Sequence, residues 1–399
     1  IIVYMKPFPE YYSYREFTAI LGGDLVRYYS KPGIPDWNII PPAHQLLVES
    51  ARPDPTDHIW CINCGPGAIA AVLAKKVPLG MCQVSTNDIL SFNATQLTQS
   101  ANNLDNLFIY SEIQLLSQAE ENIDLIVMGI SKGRSLNRRW LTQAWLALKP
   151  GGRLLIAGAN DQGIQSVIKD AEELFSNFII LAYKKGNRVA QFTKSESSSA
   201  QKAAWSHEPG IAPKTWQRVQ IQIADLPLDL VSLPGVFSNL ELDEGTRILL
   251  STLGDLSEAR VLDVGCGYGI IGIAAAVKGA KSVDLVDSQF LAVTACRENI
   301  QRHHLTRCQV YCSDLLTAVS GESYACILSN PPFHAGHQVD YQIAKELISS
   351  AKSALEPHGY LQLVANRFIR YDRLMAEHFG NVSVLAHTTA FHVLISTKE

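Results

Sequence analysis

The chain has 399 residues, of which 47% are hydrophobic and 18% are charged, and its formal net charge at pH 7 is −4. A chain of this length exceeds one ordinary hydrophobic core, so the sequence predicts a globular protein with two domains. No apolar run approaches the roughly 20 residues that span a bilayer. Residues 1–10 lack the basic and apolar segments of a signal peptide. We therefore expect no membrane association.

The weak negative charge gives no general attraction for nucleic acid, so an RNA partner must be bound by local basic patches. Three groups of basic residues are candidates, although such groups are more often plain solvated surface. They are Lys132, Arg134, Arg138 and Arg139; Arg297, Arg302, His303, His304 and Arg307; and Arg367, Arg370 and Arg373.

The eight cysteines are scattered without a disulfide-like framework, which favours a reducing cytoplasmic location. Cys61 and Cys64 have the C-x-x-C spacing of a metal or redox site. No second pair completes the four ligands of a structural zinc site. We therefore expect no metal, and the duplication described below explains these two cysteines better.

Strands and helices alternate along most of the first half. Residues 10–29 are either a helix–strand–helix or a strand-rich lead-in, and prolines follow them. The elements predicted next are strand 59–62, a helix to residue 76, strand 81–84, helix 89–100, strands 107–110 and 123–128, helix 138–148, strand 153–157, helix 164–175 and a β-pair at 178–183 and 188–193. Residues 194–202 are rich in Ser and Ala and are interpreted as a linker.

The same order returns in the second half, after short strands and prolines at 205–240. Its predicted elements are strand 260–264, a helix to residue 278, strand 283–286, helix 292–303, strands 309–312 and 325–328, helix 340–355, strand 360–365 and a hairpin at 381–386 and 391–397. This alternation predicts an α/β protein with doubly wound, mostly parallel sheets.

The two halves match at an offset of roughly 200 residues, which indicates a duplicated domain. Residues 61–67 fall on 263–269, Ser85 falls on Asp287, and Met128 lies near Asn330. The first copy keeps the strand–turn–helix skeleton but lacks two acids, one glycine and the Asn-Pro-Pro-Phe tetrapeptide of the second. We predict a degenerate domain over 1–194, a linker with connecting strands over 195–230, and a catalytic domain over 231–399.

The tetrapeptide Asn330-Pro331-Pro332-Phe333 follows an apolar strand that the prolines terminate. A strand end of this kind lies at the carboxyl edge of a sheet, where α/β folds hold their ligands. The Asn330 amide oxygen and the Pro331 carbonyl can accept the protons of one planar amino group, and the Phe333 ring can stack on its plane. This residue pattern is suited to chemistry on an exocyclic amine.

The second copy also carries a glycine-rich turn, with Gly265, Gly267 and Gly269 between a strand and a helix. Glycines there allow a ligand to approach the backbone closely. The spacing differs from the G-x-G-x-x-G pattern of dinucleotide enzymes, which disfavours a dehydrogenase. Asp263 precedes the turn and Asp287 ends the next strand, where a carboxylate can accept the hydroxyls of a ribose.

Asp314 follows the third strand, within reach of an adenine edge. Each acid alone has an ordinary structural explanation, such as a helix cap or a turn. Asp263 before the turn, Asp287 after the second strand and the tetrapeptide after the fourth strand together indicate S-adenosylmethionine as the cofactor.

At these two motifs the chain resembles the class I methyltransferases, and more narrowly the bacterial ribosomal RNA guanine-N2 methyltransferases of the RsmC and RlmG type. The stretches 234–238, 242–247, 364–367 and 379–381 add to the likeness, which is specific over about 231–399. The resemblance implies two tandem, doubly wound, Rossmann-like domains, the first degenerate and the second closed by a β-hairpin. It implies catalysis by Asn330, Pro331 and Phe333 and cofactor binding that includes Phe237.

The activity so implied is methylation of the N2 amine of a guanine in ribosomal RNA, with the RNA or a ribosomal subunit as partner and the first domain assisting RNA recognition. Asn-Pro-Pro with an aromatic residue also suits adenine N6 or the glutamine amide of a protein. A non-catalytic RNA-binding or assembly factor is a third reading, because the first copy has already lost its catalytic residues. The sequence leaves the oligomeric state, the particular guanine and the ribosomal subunit open.

Overall fold

A computed structural model describes residues 11–113, 121–175, 178–195, 203–223, 226–331 and 341–399. The strands are β1 Arg15–Leu21, β2 Asp24–Ser30, β3 His58–Ile62, β4 Met81–Thr86, β5 Leu107–Ser111, β6 Ile123–Gly129, β7 Leu148–Ala159, β8 Phe178–Lys184, β9 Asn187–Thr193, β10 Gln217–Ile223, β11 Leu226–Ser232, β12 Arg260–Val264, β13 Ser282–Asp287, β14 Cys308–Cys312, β15 Tyr324–Ser329, β16 Leu355–Asn366, β17 Ser383–His387 and β18 Phe391–Thr397.

The α-helices are α1 Pro42–Ser50, α2 Ala68–Lys76, α3 Ile89–Ala101, α4 Arg134–Ala147, α5 Ile164–Phe175, α6 Glu244–Ser251, α7 Ile270–Val277, α8 Phe290–Arg302, α9 Tyr341–Ala354 and α10 Tyr371–Phe379. Among these described helices, none combines the length and the hydropathy that a membrane crossing requires.

Each half of the chain forms a sheet of seven strands with helices on both faces. The strand orders are β5-β4-β3-β6-β7-β9-β8 and β14-β13-β12-β15-β16-β18-β17. In both sheets the first five strands are parallel and the last two pair antiparallel. The inner strands are buried on both faces, as their continuous apolar sequences require. The predicted tandem Rossmann-like fold and its terminal hairpin are confirmed.

The predicted strands and helices correspond to observed elements, with shifted ends. Helix α4 begins at Arg134, four residues before the predicted start, and its N-cap Gly133 offers no polar side chain that would mark that start in the sequence. The lead-in is strand-rich, with an antiparallel β1–β2 hairpin, and β10–β11 repeats that hairpin before the second sheet. Helices α1, α6 and α10 were not predicted, since all three are short and the prolines before α1 favoured irregular chain.

The strand registers correct one equivalence between the two copies. Ile62 pairs with Ser85, and Val264 at the same place in the second copy pairs with Val286. Thr86, not Ser85, therefore takes the position of Asp287. The alternation of side chains across a sheet makes this one-residue difference chemically important, because it decides which face and which end a side chain occupies.

The two copies dock through equivalent segments in an approximately twofold arrangement. The Ile89 N–H donates to Ser288 O at 3.0 Å, and the Phe290 N–H donates to Asn87 O at 3.0 Å. Ile89 and Phe290 begin the corresponding helices α3 and α8. This pairing turns the carboxyl edges of the two sheets, where ligands bind in such folds, toward the same interface.

Candidate active site

The glycine turn of the second copy forms an open cradle at the end of β12. Gly265, Gly267 and Gly269 have φ angles of 75°, 56° and 98°, in the left-handed region that favours glycine. A Cβ on Gly267 would meet nothing within 4 Å, and one on Gly265 only Asn330 O at 3.9 Å. At Gly269 a Cβ would lie 2.6 Å from Cys296 Sγ. The first two glycines thus leave room for a ligand, and the third allows α7 and α8 to pack.

Asp287 holds the turn in place from the end of β13. Its Oδ2 accepts the Gly267 N–H at 2.9 Å and its Oδ1 accepts the Gln289 N–H at 2.8 Å. Each carboxylate oxygen has a further lone pair for a ligand hydroxyl. Burial raises the pKa of this carboxyl, although the backbone N–H donors oppose the shift.

Asp263 is fully buried beneath the turn. Its Oδ2 accepts the Gly272 N–H at 2.8 Å, and its Oδ1 has no hydrogen-bond partner among the described residues. Burial raises the pKa of Asp263 to about 7, with the Gly272 N–H opposing the shift and the Asp287 charge adding to it. An unpaired oxygen on a buried carboxyl is costly, so this atom is suited to a cationic or hydrogen-donating ligand.

Asn330 lies at the carboxyl end of β15, and its amide orientation is fixed by two acceptors. Nδ2 donates to Asp243 Oδ2 at 3.1 Å and to Thr246 Oγ1 at 2.9 Å. A carboxylate can only accept, so the NH2 group must face Asp243 and the Oδ1 must face away. Asn330 Oδ1 is buried and accepts no hydrogen bond within the described part of the chain. The site therefore presents an oriented acceptor.

Asp243 and Thr246 were overlooked as site residues, since their sequence entered only through the family likeness. Asp243 caps α6 by accepting the Thr246 N–H at 2.9 Å. The Asp-x-x-Thr spacing at a helix start is a recognisable capping signal. Nothing in the sequence, however, connects that cap to a strand end 87 residues further on.

The remaining predicted residues are placed less completely. Pro331 is buried directly after Asn330. Phe333 lies outside the described residues, so its predicted stacking role stays a prediction. Phe237 is 61% exposed on the loop before α6, where residues 237–244 line an open depression of about 520 Å³.

Asp314 follows β14 and is held by the first copy. Its Oδ1 accepts the Tyr11 hydroxyl at 2.8 Å, and its Oδ2 forms an ion pair with Lys31, whose side chain is completely buried. The Lys31 ammonium also lies 3.7 Å from the centre of the Tyr11 ring. A role of Asp314 at an adenine edge remains a prediction. Its contacts make it a link between the two copies as well.

The first copy keeps a cleft of about 430 Å³ at the corresponding place, beside the turn at residues 63–66. Strand register puts Cys61, Thr86 and Gly129 where the second copy has Asp263, Asp287 and Asn330. The predicted loss of the acids and the tetrapeptide from the first copy is thus visible position by position. Cys61 and Cys64 are buried with free thiols.

One of the three basic groups is largely committed within the protein. Arg134 and Arg138 bind the buried Asp170, and Arg139 is itself buried. The second group lies on the surface, with Arg297, Arg302, His304 and Arg307 exposed and Arg302 paired with Glu298 at 2.7 Å. The third group, with Arg367, Arg370 and Arg373, stays on the surface.

Fold, cradle and oriented amide together define a tandem methyltransferase, and comparison with known proteins supports this. The family model of the methyltransferase small domain matches twice, over residues 26–191 and 227–395. The ribosomal RNA small subunit methyltransferase C of Pseudoalteromonas atlantica is 33% identical over 278 residues, 69% of this chain and 77% of that protein. Its counterpart in Chromohalobacter salexigens is 37% identical over 272 residues, 67% of this chain and 76% of that protein.

A solved structure covers nearly the whole molecule. The T. thermophilus 16S rRNA N2 G1207 methyltransferase (RsmC), in complex with AdoMet and guanosine, aligns with a TM-score of 0.80 and 26% identity, covering 96% of this chain and 98% of that one. The chain belongs to the ribosomal RNA small subunit methyltransferase C family.

Proposed function

We propose that the protein transfers a methyl group from S-adenosylmethionine to the exocyclic N2 amine of a guanine in ribosomal RNA. The observation that carries the proposal is the oriented amide of Asn330, whose free Oδ1 is aimed away from its two anchors at the carboxyl edge of the second sheet. The family membership and the guanosine and AdoMet named for the T. thermophilus relative support the same reaction.

The residues of the second copy fit the cofactor. Gly265 and Gly267 leave space above the turn, Asp287 offers lone pairs to hydroxyl groups, and the unpaired Asp263 oxygen suits a cation. When bound, S-adenosylmethionine supplies an electrophilic methyl group on a sulfonium. We assign Asp263, Gly265, Gly267, Gly269, Asp287, Asp314 and Phe237 to its binding, with Asn330 at the boundary between cofactor and base.

Asn330 and Pro331 would act on the amine itself. The lone pair of guanine N2 is delocalised into the ring, which makes the nitrogen a poor nucleophile. Hydrogen bonds from its two N–H groups to Asn330 Oδ1 and to the Pro331 carbonyl favour a more pyramidal nitrogen and stabilise the positive charge that develops there. Preorganised dipoles of this kind are usually the largest catalytic contribution. Phe333 would stack on the base, and a base in structured RNA must be unstacked to reach the site.

We propose a division of labour between the copies. The first domain, predicted as 1–194, would assist RNA recognition or stability, and the second, predicted as 231–399, would catalyse. The segment between them includes hairpin β10–β11, and β11 crosses residue 230. The implied partner is ribosomal RNA or a ribosomal subunit, in the cytoplasm.

The test is nucleoside mass spectrometry of ribosomal RNA from cells that lack the protein. We expect the loss of one N2-methylguanosine, its return with the wild-type chain, and no return with Asn330→Ala. Binding of S-adenosylmethionine by purified Asn330→Ala serves as the control for folding. An unchanged N2-methylguanosine content would refute the proposal. A concurrent loss of N6-methyladenosine or of glutamine methylation would then favour the other amine substrates, and no change in any methylation the non-catalytic factor.

A further inference from the structure

The turn between β16 and α10 carries an exposed aromatic ring among arginines. Phe368 is 66% exposed, and its neighbours Arg367 and Arg370 also lie on the surface. Arg373 is exposed one turn into α10. A single exposed apolar side chain is common on protein surfaces, so the ring is informative only together with the three exposed arginines of the same segment.

The turn is held rigidly, so the exposed ring is a fixed feature. Ile369 and Tyr371 are 1% and 2% exposed and anchor the turn in the core. The Ile369 N–H donates to Asn366 O at 2.9 Å and the Tyr371 N–H donates to Ile369 O at 2.8 Å. Because these alternate residues point inward, the ring of Phe368 is directed outward.

The charge of the turn opposes that of the whole protein. Three arginines against one aspartate in residues 367–373 leave two net positive charges, whereas the chain as a whole carries −4. Arg370 forms an exposed pair with Asp372, at 3.2 and 3.3 Å. A surface pair of this kind is weak and yields readily to a competing anion.

The turn also borders the catalytic residue. Strands β15 and β16 are parallel neighbours, with Ser329 opposite Leu363. Asn330 therefore follows the carboxyl end of β15, and Arg367 follows the carboxyl end of the neighbouring strand β16, three residues beyond the position level with Asn330. Tyr341, which is 49% exposed, is close enough to Arg370 to raise the pKa of that guanidinium, after the larger effects of Asp372.

From this arrangement we infer that Phe368, with Arg367, Arg370 and Arg373, is a docking platform for the single-stranded RNA that flanks the methylated guanine. A neighbouring base stacks on the Phe368 ring while the arginines bind phosphates. Aromatic rings interleaved with cations are how proteins hold unpaired nucleic acid. The inference rests on the proposed function and assigns the binding of the flanking RNA to residues beside the same site.

The test compares RNA binding by the full chain with that of Phe368→Ala, Phe368→Leu and Arg367→Gln, using protein-free 16S ribosomal RNA transcribed in vitro. We expect both Phe368 variants to raise Kd about tenfold, since leucine keeps bulk but not stacking. Arg367→Gln should reduce the slope of log Kd against log salt by about 0.7, the value for one phosphate on a single strand. The KM for S-adenosylmethionine should stay unchanged, because none of these residues is assigned to cofactor binding.

Tyr183→Ala is the matched control. Tyr183 is 59% exposed on the edge strand β8 with the Arg188 guanidinium 4.5 Å from its ring centre, so it is another exposed aromatic–arginine pair, far from Asn330 in sequence and sheet. Equal weakening by Tyr183→Ala would overturn the platform, as would unchanged RNA binding by the Phe368 variants. RNA binding is measured without cofactor. A failure of methylation alone would therefore count against the proposed function, whereas the comparison of RNA binding tests the platform by itself.

Discussion

The two copies share a backbone and differ in chemistry. The left-handed turn is preserved residue by residue, as the φ angles show: 51°, 73° and 90° for Asn63, Gly65 and Gly67, and 75°, 56° and 98° for Gly265, Gly267 and Gly269. The third glycine has the same packing reason in both, because a Cβ would clash with Thr95 in one and Cys296 in the other. In both copies the turn starts a helix and lets two helices pack, so packing alone accounts for its presence in the first copy.

The catalytic positions show the opposite behaviour. In the second copy Thr246 on α6 holds the Asn330 amide. In the first copy His44 on α1 lies beside Gly129, where a Cβ would be only 2.4 Å from the imidazole Nε2. Burial lowers the pKa of His44 to about 4, so the ring is neutral near pH 7. The imidazole occupies the space that a side chain at position 129 would need, so an amide like that of Asn330 does not fit there.

The largest loss of activity is expected from Asn330→Ala, which removes the amide that the second copy has and the first lacks. Removal of one preorganised acceptor typically lowers kcat by about 10²–10³. We expect that loss in a methylation assay, with cofactor affinity nearly unchanged because Asn330 acts mainly on the base. Asn330→Asp would keep an acceptor but place a carboxylate against Asp243, so it should not restore the rate. A variant with near-normal kcat would show that the amine is activated elsewhere.

A second test concerns how many cofactor molecules the chain binds. Asp287→Ala should raise the Kd for S-adenosylmethionine about 10- to 100-fold, because hydrogen bonds to a charged group contribute about 1.5–3 kcal/mol. Thr86→Ala, the equivalent change in the first copy, should leave the Kd unaltered. Titration calorimetry should give one cofactor per chain. Two equal sites would contradict the view that the first copy has lost this ligand.

The pH dependence of cofactor binding tests the role of Asp263, whose position is taken by Cys61 in the first copy. Burial raises the pKa of Asp263 to about 7, and the ionised carboxylate attracts a cationic ligand. Affinity should therefore rise with pH, by about tenfold between pH 6 and 8 for a single linked proton. Asp263→Asn should bind more weakly at pH 8 and lose this dependence. A steep profile that survives in Asp263→Asn would assign the titration to another group.

Much of the fold was predictable because it depends on local patterns. Apolar runs with turn residues define buried strands, and the glycine turn with Asp287 and Asn330 marks the carboxyl edge of one sheet. The Lys31–Asp314 ion pair was not predictable, since it joins residues 283 apart and depends on how the two copies dock. Sequence spacing also assigned Ser85, instead of Thr86, to the position equivalent to Asp287. An offset of roughly 200 residues between the copies is too coarse to fix the strand register, and a shift of one residue reverses the direction of a side chain.

The smallest predicted effect is that of Thr246→Val, a change in a residue that supports the Asn330 amide. Thr246 is 5% exposed, and valine would keep its shape while removing the acceptor that Nδ2 uses at 2.9 Å. The Asn330 amide would then be held by Asp243 alone. Loss of the second hydrogen bond weakens its orientation by about 1 kcal/mol, so kcat should fall about fivefold. His44→Val is the control, because the equivalent position of the first copy holds no catalytic amide. An equal loss of kcat in both variants would mean that α1 and α6 act through stability, and melting temperatures would show it. A loss confined to Thr246→Val, with the KM for cofactor unchanged, would identify a positioning residue that only the second copy retains.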